Sequence, residues 1–255
     1  MRKYEIARML ARRYGYKSYL EICTPTTGRT FSLVDKKQFS RRTRLMYRRP
    51  SDFSDGERID LSTEAESGEE LFNELLKSGE RFDLVFIDPW HSYAASLRDI
   101  TFGLRLVKDD GVLLIHDCSP PNATCAEPEY RPGEWCGLTF AAYLDVVLFT
   151  SGLHYITVDT DYGCGVISKD DRLEGLYESQ PDASLASRWR TLDISQKYAF
   201  FDQNRSQLLR LISTHTFCHR FDTRRQRAVR RVRRLLGSFH VALRHPESMK
   251  NTARG

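Results

Sequence analysis

The chain has 255 residues, 40% hydrophobic and 29% charged, enough apolar material for one sizeable core and a short appendage. No apolar run reaches the ~18 residues of a membrane span, and the opening MRKYEIARMLARRYG alternates charge with apolar positions instead of forming a signal-peptide core, so a soluble, cytoplasmic protein is expected. The formal net charge of +5 is uneven: residues 222–255 hold ten Lys and Arg against two acids, +8, which leaves −3 on residues 1–221.

Taken in chain order, residues 3–14 place Tyr4, Ile6, Ala7, Met9, Leu10 and Ala11 at helical spacing, with Gly15 as a stop. YLEIC at 19–23 reads as a buried strand, and TPTTG after it as a loop marked by Pro25 and Gly28. RLMY at 44–47 is a second strand and ERIDL at 57–61 a weaker third. Residues 67–78 predict a helix with Leu71, Phe72, Leu75 and Leu76 on one face. FDLVFID at 82–88 is the clearest strand. A helix over 92–107 follows, with Ser92 as its N-cap, and GVLLIHD at 111–117 is the next strand.

After a proline-bearing loop at 119–133, EWCGLTFAAYLDVVLFTSG predicts a long, largely buried helix. Residues 154–169 read as two strands joined at Thr160 to Gly163, and 195–213 as a further helix. Strands apolar on both faces that alternate with helices make a parallel sheet covered by helices. The fold class expected is therefore α/β, Rossmann-like and doubly wound, with a mostly parallel sheet ending in an antiparallel hairpin and a helical basic C-terminal extension. Residues 1–170 form the core domain, 171–221 complete it with helices, and 222–255 are a basic amphipathic tail.

Ligands of such sheets bind beyond the carboxyl ends of the strands. Asp88 and Asp117 end two of them, so two carboxylates are expected side by side, each expensive to bury unless something there favours negative charge. His91 stands just past Asp88 and titrates near neutral pH when unperturbed, which suits a general base. His116 is a second candidate. Neighbouring side chains on a strand point to opposite faces, so His116 and Asp117 share a pocket only if the strand ends before them. The plainer readings are Asp88 as a helix cap and His91 as a loop histidine bonded to backbone. In YLEICTPTTGRTF, Gly28 allows close backbone approach, the hydroxyls of Thr27 and Thr30 and nearby amides suit a carboxylate, and Glu21 suits an ammonium. Neither a dinucleotide nor a P-loop fingerprint is present. The six cysteines lack both a disulfide framework and paired zinc spacing, so reduced thiols are expected.

The stretches YLEICTPTTGRTF, FIDPWHSYAASLRDI, DGVLLIHDCSP and DTDYGCGVISK, in that order, resemble the class I S-adenosylmethionine-dependent methyltransferases, in particular the group with sugar and small-molecule O-methyltransferases, over residues 3–169. The resemblance implies methyl transfer to a hydroxyl of a sugar, glycan or small molecule. It implies S-adenosylmethionine held by Glu21, Cys23, Thr27, Gly28, Thr30, Asp60, Asp88 and Trp90, with Asp88, His91 and His116 at the reaction. It also brings in Mg2+ between Asp88 and Asp117, and Trp135 and Tyr162 stacked on the acceptor. Two departures stand out. Cys23 replaces a usual glycine, and RLMYRRP ends in Arg48 and Arg49 where the family places a ribose-binding acid, so either another acid such as Asp60 takes that role or cofactor binding is weak or lost. A catalytically idle module that attaches to a membrane or partner through its tail is the alternative.

In the tail, Val229, Val232, Leu236, Phe239 and Leu243 fall on one helical face amid arginines. Docking on the body or on a homodimer partner, and peripheral membrane contact through residues 223–244, both fit this pattern. Nucleic acid is not an expected partner.

Overall fold

The computed structural model describes residues 1–24, 30–34, 36–47, 68–177 and 182–222. The expected strand near 57–61, the residues Thr27, Gly28, Arg48, Arg49 and Asp60, and the tail from 223 onward lie outside them. The apolar runs become strands β1 (Ser18–Cys23), β3 (Phe82–Asp88) and β4 (Val107–Ile115), joined by β2 (Arg41–Met46), β5 (His154–Val158), β6 (Cys164–Ser168) and β7 (Leu211–Ile212). They form one sheet in the order β2-β1-β3-β4-β6-β5-β7. β2, β1, β3 and β4 are parallel, β6 runs antiparallel between β4 and β5, and β7 extends the edge parallel to β5.

The two-residue period of the strands sorts the core into two layers. Leu20, Ile22, Val85, Ile87, Leu113 and Ile115 face one way, beneath α4 (Tyr93–Leu106), α5 (Thr139–Phe149) and α7 (Ile194–Leu209). Tyr19, Leu84, Phe86, Val112, Leu114 and Val166 face the other, beneath α1 (Lys3–Tyr14) and α8 (Thr214–Phe221). Each such side chain contributes about 1.5–3 kcal/mol on burial. By the same parity Glu21, Asp88 and His116 point to the α1 side. Gly103 of α4 lies so close to the sheet that a Cβ there would come within 2.7 Å of Ile87 and 2.8 Å of Leu113.

Gly15 ends α1 in the left-handed conformation, and Ser92 caps α4 by accepting from the Ala95 amide. Three expected elements shift. The second strand spans 41–46, not 44–47, because its polar first half still pairs with β1 from Ser18 onward. The long helix at 134–152 shrinks to α5, since Gly137 takes a left-handed φ of 54° and the Leu138 amide donates to the His91 carbonyl. The helix at 195–213 stops at Leu209, because Arg210 at φ 46° turns the chain into β7. Segment 171–221 thus supplies a strand as well as helices, among them α6 (Ala183–Thr191) and α8, which hydrophobic periodicity did not announce. Asp182 and Ser213 cap these two helices. The short α2 (Thr30–Leu33), α3 (Gly68–Lys77) and a single 3-10 turn at Asp171–Leu173 complete the described elements. No disulfide links the cysteines. No described helix is long and apolar enough to cross a membrane.

Candidate active site

The carboxyl ends of β3 and β4 open onto a cleft of about 380 Å³ whose lining includes Lys3, Asp88, His91, His116, Asp117 and Asp161. β3 ends at Asp88 and β4 at Ile115, so His116 and Asp117 are already past the strand. Asp117 sits at φ 60°, the left-handed region, and this turns its carboxylate to the side that His116 occupies. The condition for both to share one pocket is met. His116 Nδ1 lies 2.9 Å from Asp117 Oδ2.

His91 approaches the same oxygen from the other side, its Nε2 at 2.9 Å from Asp117 Oδ2 and 3.7 Å from Asp88 Oδ1. Its Nδ1 is 2.7 Å from the Trp135 carbonyl, which only accepts, so Nδ1 carries a proton. Gly137 lets this wall close: a Cβ there would come within 2.2 Å of the His91 carbonyl oxygen. Burial opposes charge on His91, but Asp117 and then Asp88 outweigh it and raise its pKa to about 10. The same balance, with Asp117 and Asp88 again the partners, raises His116 to about 9. Both rings are imidazolium at neutral pH. His91 thus favours the cationic form beside Asp117, and its expected part in proton transfer runs through that pair. Burial pushes both carboxyls up, yet Lys3 and His116 hold Asp88, and His116 and His91 hold Asp117, well below the usual range.

Sequence reasoning missed Lys3. From the first turn of α1 its Nζ reaches Asp88 Oδ2 at 2.7 Å and lies 3.3 Å from His116 Nδ1. Asp161, foreseen only as a turn residue, accepts from the Lys3 amide at 3.0 Å and from the Arg2 guanidinium at 3.1 Å. The sequence did hold a signal, because two cations at a helix N-terminus run against the helix dipole.

Glu21 and Cys23 lie one strand away from Asp88, with Cys23 in register with it, and both are fully buried. Tyr19 donates to Glu21 Oε2 at 2.7 Å, while Oε1 has no hydrogen-bond partner among the described residues. Burial raises the Glu21 pKa to about 7. Such an orphaned, buried carboxylate oxygen fits an ammonium group of a ligand. Burial also raises the Cys23 thiol, which stays neutral. Thr30 lines the cleft; Glu21, Cys23 and Trp90 do not. Trp90 instead packs beside Trp135 and Tyr130, with ring centroids 4.8 and 5.2 Å away. Its amide donates at 3.0 Å to the Tyr47 hydroxyl, which itself donates to the buried Asp99. Tyr162 meets His116 edge-on at 6.3 Å.

Asp88, His116 and Asp117 offer ligand atoms that lie within 4.8 Å of one another. As arranged they do not fit Mg2+. That ion prefers an oxygen shell, whereas here one of three donors is an imidazole whose Nδ1 faces Asp117, and three cationic groups already balance the carboxylates.

Residues 11–118 match a family model described as a methyltransferase domain. No curated protein matches the chain. Among solved structures, a Podospora anserina methyltransferase bound to SAH is 16% identical with a TM-score of 0.45, over 66% of this chain and 78% of that one. The O-methyltransferase TomG of Streptomyces achromogenes, involved in tomaymycin synthesis and solved with SAM, is 12% identical with a TM-score of 0.44, over 65% and 78%. Residues 11–118, set in a mostly parallel sheet that closes with an antiparallel hairpin, thus match a methyltransferase-domain family over less than half of the chain, and the fold is Rossmann-like.

Proposed function

We propose that the protein transfers a methyl group from S-adenosylmethionine to a hydroxyl of a small-molecule or glycan acceptor in the cleft over Asp88 and Asp117. The observation that carries this reading is Glu21. A fully buried carboxylate with one oxygen unpartnered among the described residues, at the carboxyl end of the first strand, calls for a cationic ligand group, and the methionine ammonium supplies one. Thr24 and Thr30, both buried nearby in the chain, add hydroxyl donors.

When bound, S-adenosylmethionine supplies an electrophilic methyl group. The remaining work belongs to the chain. The acceptor oxygen must lose a proton as it is methylated, and the paired charges of the cleft govern this step. Lys3 and His91 stabilise negative charge on the oxygen, and Asp117, whose Oδ2 faces both imidazoles, is the nearest group to receive the proton. A depressed carboxyl is a weak base, so acceptors that ionise readily react fastest. Trp135 and Tyr162 line the cleft and suit a flat acceptor ring or a sugar face, and Trp90 and Tyr130 pack against Trp135.

Calorimetric titration with S-adenosylmethionine and S-adenosylhomocysteine tests the cofactor. Binding in the micromolar range, about 8 kcal/mol, is expected, and Glu21→Gln should weaken it. Absence of binding to either compound would replace this reading with the idle module. A screen of hydroxyl acceptors with isotope-labelled cofactor then tests the reaction.

A further inference from the structure

We propose that Lys3 is the built-in cation of this site, its ammonium held at the carboxylates in place of a divalent metal ion, so that removing Lys3 turns the site into one that binds divalent cations. This goes beyond the methylation reading and does not rest on it, because neither cofactor nor acceptor enters the argument.

Three observations carry it. First, the donor cluster itself has metal-like spacing, with Asp88, His116 and Asp117 atoms all within 4.8 Å of one another and all three residues buried. Second, a cation already sits on it: Lys3 Nζ is 2.7 Å from Asp88 Oδ2 and 3.3 Å from His116 Nδ1, and its side chain is only 21% exposed. Third, the chain goes against local preference to put it there. Lys3 opens α1, preceded by Arg2, where the helix dipole disfavours positive charge. The position is held from both sides, because the Lys3 amide donates to Asp161 and the Thr160 hydroxyl donates to the Met1 carbonyl at 2.5 Å. The ammonium also lies over the Phe86 ring, with Nζ 6.0 Å from its centroid.

A lysine paired with Asp88 and a divalent ion on the cluster compete for that carboxylate, and a site that holds the ammonium permanently has no need of the metal. Removing Lys3 leaves Asp88 buried with less positive charge and with oxygen atoms open to a hard cation.

The test uses Mn2+ as probe, followed by electron paramagnetic resonance and calorimetry, on wild type, Lys3→Met, Lys3→Gln and the double variant Lys3→Met with Asp88→Asn. The wild type is expected to show no saturable binding below about 1 mM, and Lys3→Met to bind at least ~30-fold more tightly, a gain the double variant abolishes. Lys3→Gln serves the same purpose should Lys3→Met fail to fold. Saturable wild-type binding that Asp88→Asn removes would overturn the proposal. So would folded Lys3 variants that bind Mn2+ no better than wild type.

Discussion

Two buried clusters in this protein are made of the same parts and do different things. At Asp145 on α5, Lys197 donates to both carboxylate oxygens at 2.9 and 2.8 Å, Trp189 to one at 2.5 Å and Tyr93 to the other at 2.6 Å. Each donor comes from a different place, so one carboxylate ties α4, α5, α6 and α7 together. At Asp88 and Asp117 the partners are Lys3 and two imidazoles, the spacing is looser, and the side chains line a cleft. The first cluster is saturated by donors and fixes packing. The second balances charge at the wall of an open cleft, which leaves it placed to meet a ligand.

The sharpest way to break the comparison is to swap the expected consequences. Asp145→Ala strands the Lys197 ammonium and should destabilise the fold by about 3–5 kcal/mol in urea titration, while leaving cofactor affinity of the folded fraction unchanged. His91→Gln should do the reverse, lowering methyl transfer about 100–1000-fold, or ~3–4 kcal/mol, with a modest change in stability. If the two variants behave alike, the distinction fails. Glu21→Gln should weaken S-adenosylmethionine about 10–100-fold by calorimetry, in keeping with a lost hydrogen bond to a charged group.

Two pH profiles sharpen the contrast further. His91 and His116 have folded pKa values near 10 and 9, above those of the unfolded chain, so their stabilisation is complete below about pH 6.5 and disappears as pH rises through 9 to 10. Melting temperature should fall over that window, and His91→Gln should flatten the fall. Glu21 is shifted the other way for an acid, up to about 7. Its carboxylate forms as pH rises towards that value, so cofactor affinity should increase up to about pH 7 and then level off. A flat affinity profile between pH 5 and about 8 would separate Glu21 from the ammonium. The smallest effect is expected at Trp90→Ala, which removes the ring packed on the cleft-lining Trp135: a several-fold rise in acceptor KM, about 1 kcal/mol, with cofactor binding intact.

Much of this was readable from the residues. β3 and β4 are legible because runs such as LVFI and VLLI are apolar on both faces, and α4 because Ser92 caps a clear helical stripe. The antiparallel closing hairpin followed from Thr160 to Gly163. β2 was read three residues late because Arg41 to Arg44 look like surface, yet an edge strand needs only backbone partners. The cluster of Asp88, His91, His116 and Asp117 was legible from strand ends alone. Lys3 was not, because its contact with Asp88 spans 85 residues, and the one local sign, two cations at the start of a helix, does not name the partner. The protonation of His91 was equally hidden, since it depends on Asp117 and Asp88 lying close together in space.

The tie between Lys3 and Asp161 bears on how the molecule is assembled. It joins positions 158 apart in sequence, so it cannot form until the hairpin has docked on the sheet, whereas the parallel strands around Asp88 pair over much shorter loops. The reactive centre is thus expected to be the last part of the fold to close. Pulse-labelling hydrogen exchange during refolding should show the Lys3 amide gaining protection after those of Val85 and Leu113. A chain released early from synthesis would then carry a well-formed sheet and both aspartates, but with the charges of its cleft not yet balanced.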